Sequence, residues 1–172
     1  MPTKKLGAVR TLGGDEFWYK LGSGSWVSLG FVKEGYLFGD VGAITKIGLA
    51  GGVKAAVEEG RDVSIELEMA QTDKEALDLK DSLDFKTGSF YMYDGQANVN
   101  YEELYCTNGT FFVSIQKKDA DKPQTVKITY QVEKQSAVVA VADTGLPTIK
   151  KCAVGTHTGV NNYYVWIETA VT

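Results

Sequence analysis

The sequence predicts a mainly β protein, an antiparallel β-sandwich or barrel with one flanking α-helix. Several runs alternate apolar and polar residues, which is the pattern of strands that bury one face. Asp-Gly and Asn-Gly pairs stand between such runs, and short turns of this kind join antiparallel strands. Residues 73–83 combine helical apolar spacing with a capping sequence and predict the helix.

The predicted strands occur in both halves of the chain. In the clearest one, residues 62–69, apolar and polar side chains alternate strictly, which gives one apolar and one acidic face. Its polar residues are Asp62, Ser64, Glu66 and Glu68. Residues 125–133 repeat this alternation, and Phe111, Val113 and Ile115 form a third apolar row. Shorter candidates are residues 16–21, 25–32, 89–93, 97–105 and 163–168.

Local turn signals predict where these strands reverse. Asp94-Gly95 lies between aromatic-rich runs and predicts a hairpin, and Asn108-Gly109 predicts a second turn just before residue 110. Pro123 interrupts the chain ahead of the strand at residues 125–133. Such short connections favour antiparallel pairing of consecutive strands.

The predicted helix covers residues 73–83. Thr72 and Glu75 fit a capping box, in which each side chain bonds a backbone N–H of the first turn. Leu79 and Leu83 lie four residues apart and share the face that would pack on the sheet. Most of the charged side chains of this segment would then face water.

Two further regions lack a regular pattern. Residues 35–60 contain seven glycines among scattered apolar residues, and we predict a long, pliable hairpin there. Residues 135–162 include a Val/Ala run without polar alternation. Because segments of this length without regular structure usually serve a function or are disordered, we predict a functional loop or a disordered segment.

The motif content argues against catalysis and cofactor binding. The chain has 172 residues, enough for a single domain over residues 1–172 with a real core. Its one histidine, His157, lies in a predicted loop without a nucleophile signature, and no dinucleotide-binding, P-loop or calcium-loop motif occurs. We therefore expect no enzyme activity, no metal and no cofactor.

Charge and cysteine usage favour a protein made in the cytoplasm. The net charge is −4 and the basic residues are scattered, which disfavours a protein that grips nucleic acid. Cys106 and Cys152 lie far apart, and we expect both to be reduced thiols. No run approaches the ~20 apolar residues that span a bilayer, and no secretory signal is recognisable, so no membrane association is expected.

Residues 41–83 contain a characteristic succession of features. A glycine-punctuated strand and loop from Val41 to Val53 is followed by an acidic turn at residues 57–62, the alternating strand and the capped helix. This succession, about a quarter of the chain, resembles the major tail tube proteins of long-tailed bacteriophages. Residues 135–172 exceed what a minimal member would have, and they are interpreted as an extended C-terminal arm or as a departure from the family.

The resemblance implies a structural subunit that assembles with copies of itself. Rings, expected to be hexameric, would stack into the tail tube of a virion after synthesis in the host cytoplasm, and other tail proteins would contact them. DNA would pass without specific binding, because a lumen lined by Asp62, Ser64, Glu66 and Glu68 repels its phosphates. The hairpin would reach a neighbouring subunit through Val41, Ile44, Ile47, Leu49, Val53 and Val57.

A second interpretation is a non-enzymatic β-sandwich binding module. It would be a carbohydrate-binding domain or another virion component, such as a decoration protein or an adhesin. Exposed aromatic residues stack on sugars, but aromatic residues are also enriched in cores and subunit contacts, which we favour here. The aromatic residues in question are Trp18, Tyr19, Trp26, Tyr36, Tyr163, Tyr164 and Trp166.

Overall fold

The computed structural model describes residues 16–29, 36–48, 54–70, 73–95, 100–116, 125–141, 145–146 and 157–170. These residues form one eight-stranded antiparallel sheet, one α-helix and a separate two-stranded ladder. The predicted mainly β class with one flanking helix is confirmed. The sheet curls around a core, but its two edge strands are not hydrogen-bonded to each other, so the barrel is not closed.

Ten strands and one helix follow one another along the described chain. The strands are β1 Glu16–Leu21, β2 Val27–Ser28, β3 Tyr36–Gly48, β4 Lys54–Ala70, β5 Thr87–Gly95, β6 Asn100–Gln116, β7 Thr125–Val132, β8 Ala140–Val141, β9 His157–Thr158 and β10 Val165–Ala170. The helix α1, Asp73–Leu83, lies between β4 and β5 and has the bounds that the sequence predicts.

The sheet runs in the order β2-β1-β5-β6-β7-β4-β3, and β6 is its central strand. One edge of β6 pairs with β5, from Tyr101 to Thr110. The opposite edge pairs first with β10 and then, from Gly109 onward, with β7. At the open side of the curl, the rings of Phe17 in β1 and Tyr36 in β3 meet edge to face with centroids 5.8 Å apart.

Two hydrophobic cores lie on opposite faces of β1, β5 and β6. Phe90 and Met92 point into the first core, whereas Tyr91 between them belongs to the second. The first core also takes the apolar faces of β4 and β7 and the α1 residues Ala76 and Leu83. The second core is covered by Val139, Val141, Leu146 and Val165. The described parts of residues 135–172 therefore pack against the sheet.

The end of α1 completes the edge of β6 that β5 leaves uncovered. Asp84 accepts a hydrogen bond from the N–H of Val113 at 2.8 Å, and Lys80 donates one to the carbonyl of Val113 at 2.7 Å. Phe85 and Phe111 add a backbone bond of 2.8 Å. Because these contacts replace a missing strand, they explain how the helix is held against the sheet.

Two turns predicted from sequence are wrong. Asn108-Gly109 lies inside β6, and the residues 57–62 interpreted as an acidic turn lie inside β4. A Cβ at Gly109 would come within 2.4 Å of the Gln131 carbonyl and 2.6 Å of the Tyr130 ring. This glycine is therefore required by the close approach of β7 and its side chains rather than by a turn.

The other predicted strands are present in the structure, but their first and last residues differ from the prediction. The β5–β6 hairpin is confirmed, with Gly95 opposite Tyr101, while its tip at residues 96–99 lies outside the described part. Of the predicted strand 25–32, only β2 is observed among the described residues. His157 was predicted in a loop but pairs with Val141 in the β8–β9 ladder. Thr72 and Cys152 lie outside the described residues.

Candidate functional site

The hairpin formed by β3 and β4 is the most extended paired element of the sheet. Its register runs from Tyr36 opposite Leu67 to Gly48 opposite Lys54, which confirms the predicted long hairpin. β7 pairs with β4 only from Ser64 to Ala70, so the outer half of the hairpin continues past β7. At about 3.3 Å per residue, the 13 residues of β3 span roughly 40 Å.

The outer edge of β3 lies at one end of the described sheet. In the described sheet, β3 is the last strand in the order and pairs only with β4. Exposed edges of this length are usually shortened, covered or interrupted by proline, but β3 contains no proline. Leu37 and Val41, each 64% exposed, stand on the sheet face that the first core does not use.

The predicted hairpin residues occupy different parts of this element. Val41 is exposed on β3, as an intermolecular contact requires. Ile44, Ile47 and Val57 lie in the backbone ladder, opposite Glu58, Ala55 and Thr45. Leu49 and Val53 lie outside the described residues, so their role stays a prediction.

The predicted lumen residues share one face of β4, opposite the core. Val63, Ile65, Leu67 and Met69 are buried, and the alternating polar residues point to the other side. Lys127 of β7 forms an ion pair with Glu66 at 2.7 Å, and Gln131 donates a hydrogen bond to Asp62 at 2.6 Å. The face is therefore acidic but partly neutralised, because Lys127 offsets one of its three carboxylates.

A charged cluster that the sequence analysis missed lies where the hairpin leaves the domain. Asp40 of β3 and Arg61 of β4 form a two-pronged ion pair, in which both Nε and Nη2 of Arg61 donate to the Asp40 carboxylate. The hydroxyl of Tyr164 donates to Asp40 at 2.7 Å. The guanidinium carbon lies 5.3 Å from the ring centre of Tyr163 and 5.7 Å from that of Tyr164. We call Asp40, Arg61, Tyr163 and Tyr164 the clamp.

The clamp joins the hairpin to the segment that leads into β10. Asn161 accepts hydrogen bonds from the backbone N–H groups of Tyr163 and Tyr164, which fixes the turn that presents both rings. Phe38 lies two residues before Asp40, on the same face of β3. Its ring packs against Tyr164 and Trp166 with centroids 5.1 and 5.5 Å away. The contact thus combines charge, hydrogen bonds and aromatic packing.

The electrostatics of the clamp favour its ionised state. Hydrogen bonds from Arg61 lower the pKa of Asp40, and the bonded carboxylate in turn raises the pKa of Arg61. Burial, together with its bond to Asp40, raises the pKa of Tyr164. The side chains of Asp40 and Arg61 are 19% and 29% exposed, so solvent screens the pair only in part.

One sequence signal could have located the ion pair. Arg61 precedes the buried Val63 and Ile65 by two and four residues in β4. Since alternate residues of a strand point to the same face, Arg61 is a cation on the core side of β4. A charge on the inward side requires an opposite charge on the facing strand. Tyr164 carried no comparable signal, because its contact with Asp40 spans 124 residues.

The second core contains a buried carboxylate among aromatic rings. Glu103 is 1% exposed and accepts a hydrogen bond from the Tyr91 hydroxyl. Trp18 and Trp26 pack on Tyr91 with ring centroids 5.7 and 6.3 Å away. Most of the aromatic residues that could have stacked on a sugar are thus used in packing, as the core interpretation predicts.

The helix found in the described residues is too short to cross a membrane. Comparison with protein-family models gives no match, and no curated protein matches the chain. The interpretation of this molecule therefore depends on the hairpin, its open edge and the faces that the sheet exposes.

Proposed function

We propose that this protein is a structural subunit that assembles with copies of itself into rings, which stack into a phage tail tube. The observation that carries the proposal is the outer edge of β3, with which no other strand of the described sheet pairs, 13 residues long in a hairpin that extends past β7. An uncovered edge of this length pairs readily with another strand. Its presence in a stable protein therefore favours pairing with another chain.

The two edges of the sheet differ, which suits a ring. One edge is β3 and the other is the two-residue β2 beside β1. Pairing between unlike edges is head-to-tail, and such contacts close into a ring when the rotation allows it. Leu37 and Val41 lie opposite Glu66 and Asp62, on the face proposed for the lumen, and the side chains of a strand paired with β3 would cover part of their exposed surface.

The acidic face of β4 gives the tube its second property. Asp62, Glu66 and Glu68 would line the lumen in every copy and repel the phosphates of passing DNA. Lys127 weakens the repulsion by each subunit through its ion pair with Glu66, on a face that also carries Asp62 and Glu68. The protein would act without catalysis, and its partners would be further copies and other tail proteins.

Electron microscopy of concentrated protein tests the proposal. Rings or tubes are expected for the natural chain, and Leu37→Lys combined with Val41→Lys should abolish them because the new charges resist burial. The matched control places two lysines at the exposed positions Ser136 and Ala137 and should still assemble.

The binding-module alternative makes the opposite prediction. Monodisperse particles at high concentration, together with affinity for glycans on an array, would contradict the assembly proposal and favour the binding module.

Circular dichroism of the double lysine variant must show the native strand content, so that loss of rings reports on assembly rather than on folding.

A further inference from the structure

We propose that the β3–β4 hairpin has a built-in hinge, and that the clamp fixes the hairpin on the domain side of it. The hinge lies at the irregularity in the ladder between Ala43 and Ile44. The clamp residues Asp40 and Arg61 lie within three residues of it. This inference concerns the isolated chain and does not depend on the proposed assembly.

The ladder itself locates the hinge. Gly60 is opposite Ala43 and Glu58 is opposite Ile44, so Glu59 is an extra residue with no counterpart on β3. A bulge of this kind bends the strand and increases its local twist. A Cβ at Gly60 would meet no atom within 4 Å, so little packing resists bending there.

On the domain side of the bulge, three sets of contacts hold the hairpin. β4 pairs with β7 from Ser64 onward, Phe38 packs on Tyr164 and Trp166, and the clamp ties both strands to the segment before β10. Beyond the bulge, the strand pairing in the described sheet is that between β3 and β4 alone. The backbone pairing of the hairpin therefore changes from three strands to two within a few residues.

The clamp consequently sets the direction in which the outer hairpin leaves the domain. Its ion pair bridges the two strands of the hairpin, and the Tyr164 hydroxyl connects that pair to a different part of the sheet. Loss of the hydroxyl would leave the hairpin ladder and the ring contacts intact and would remove the hydrogen bonds between Tyr164 and the ion pair. The clamp residues are thus positioning residues: they orient the part of the hairpin beyond the bulge relative to the domain.

Amide hydrogen exchange followed by NMR on the dilute monomer tests the device. Hydrogen-bonded amides in residues 37–41 and 63–67 should exchange at least about tenfold more slowly than those in residues 45–47 and 55–57. Tyr164→Phe should speed exchange of the first group about fivefold to tenfold, the effect of losing one hydrogen bond whose charge solvent partly screens. Tyr163→Phe is the matched control, because it keeps the ring beside Arg61, and no change is expected.

Deletion of Glu59 tests the hinge separately. Restoring an uninterrupted register should bring the exchange rates on the two sides to within about threefold of each other. If the deletion variant does not fold, Gly60→Ala, whose Cβ would meet no atom within 4 Å, should slow exchange beyond the bulge. Equal protection on both sides in the natural chain would overturn the hinge, and identical behaviour of the two tyrosine variants would overturn the clamp. Both outcomes are read without any assembly.

Discussion

The hydroxyl of Tyr164 donates a hydrogen bond of 2.7 Å to the carboxylate of Asp40, across 124 residues of sequence. The same carboxylate receives two bonds from Arg61, so Asp40 connects both strands of the hairpin to the segment before β10. The ion pair with Arg61 requires an ionised carboxylate, and the hydrogen bond from Tyr164 is stronger to that state than to the protonated acid. The stability of this part of the molecule is therefore linked to pH.

We expect Asp40 to contribute stability at neutral pH that is lost in acid. Its pKa is lowered in the folded state by Arg61, so the folded protein binds its proton less readily than the unfolded chain does. The contribution is complete above about pH 5 and declines as the pH falls through the ordinary value of about 3.9 towards the lower folded value.

Urea unfolding of Asp40→Asn at pH 7 and pH 3 measures this contribution. The variant should be about 1–2 kcal/mol less stable at pH 7, a figure reduced for the partial exposure of the pair. The difference should shrink at pH 3. Asp81→Asn, on the exposed surface of α1, removes the same charge and should differ little at pH 7. A pH-independent deficit in the Asp40 variant would contradict the linkage.

Alanine should have opposite effects at two glycines. At Gly109 a Cβ would collide with the Gln131 carbonyl and the Tyr130 ring, so Gly109→Ala should cost about 2–3 kcal/mol. At Gly60 the Cβ has open space, and Gly60→Ala should stabilise the fold by about 0.5 kcal/mol by restricting the unfolded chain. Denaturant midpoints of the two variants give the comparison. A similar loss of stability at both sites would show that close contact with β7 is not what restricts position 109 to glycine.

Local pattern was sufficient for the regular elements and insufficient for contacts across the sheet. The bounds of α1 and the strand at residues 62–69 could be predicted because periodicity and capping are local properties. Asn108-Gly109 has the composition of a turn, yet Gly109 faces Tyr130 of a strand more than 20 residues away. That pairing is decided by the tertiary fold, which overrides the turn signal.

The candidate site shows the same division. The two faces of residues 62–69 followed from alternation, and the structure places the apolar face in the core. The alternation in β4 indicates the inward charge of Arg61, but the contact of Asp40 with Tyr164 could not be predicted, because it forms only when β3 and the segment before β10 are in place. The β8–β9 ladder was missed for a simpler reason, since two-residue strands leave no period to detect.

Cys106 should be inert to alkylation in the folded protein. It is fully buried in the first core, and burial raises the pKa of its thiol, so the reactive thiolate is not formed at neutral pH. Iodoacetamide labelling of a Cys152→Ser variant, read by mass spectrometry, should modify Cys106 in guanidinium and leave it unmodified in buffer. Rapid labelling in buffer would mean that the first core opens on the timescale of the reaction.

Charge reversal on β4 tests the proposed lumen directly. Glu66→Lys with Glu68→Lys should leave the subunit folded, because neither side chain enters the core, although the ion pair between Glu66 and Lys127 is lost. The cost should be about 1–2 kcal/mol, because a partly exposed pair is lost and the new lysine at position 68 lies opposite Lys127. Assembled tubes would then carry a basic lumen, which binds DNA instead of repelling it.

The measurement is DNA retention by assembled tubes, or the rate of DNA ejection where particles can be reconstituted. The double variant should retain DNA at low salt, release it as salt increases, and slow ejection. Asp78→Lys with Asp81→Lys makes the same change of charge on the exposed surface of α1 and should not retain DNA. If both variants behave alike, the acidic face of β4 does not line the channel, and residues 62–68 lose the role proposed for them even if the tube itself forms.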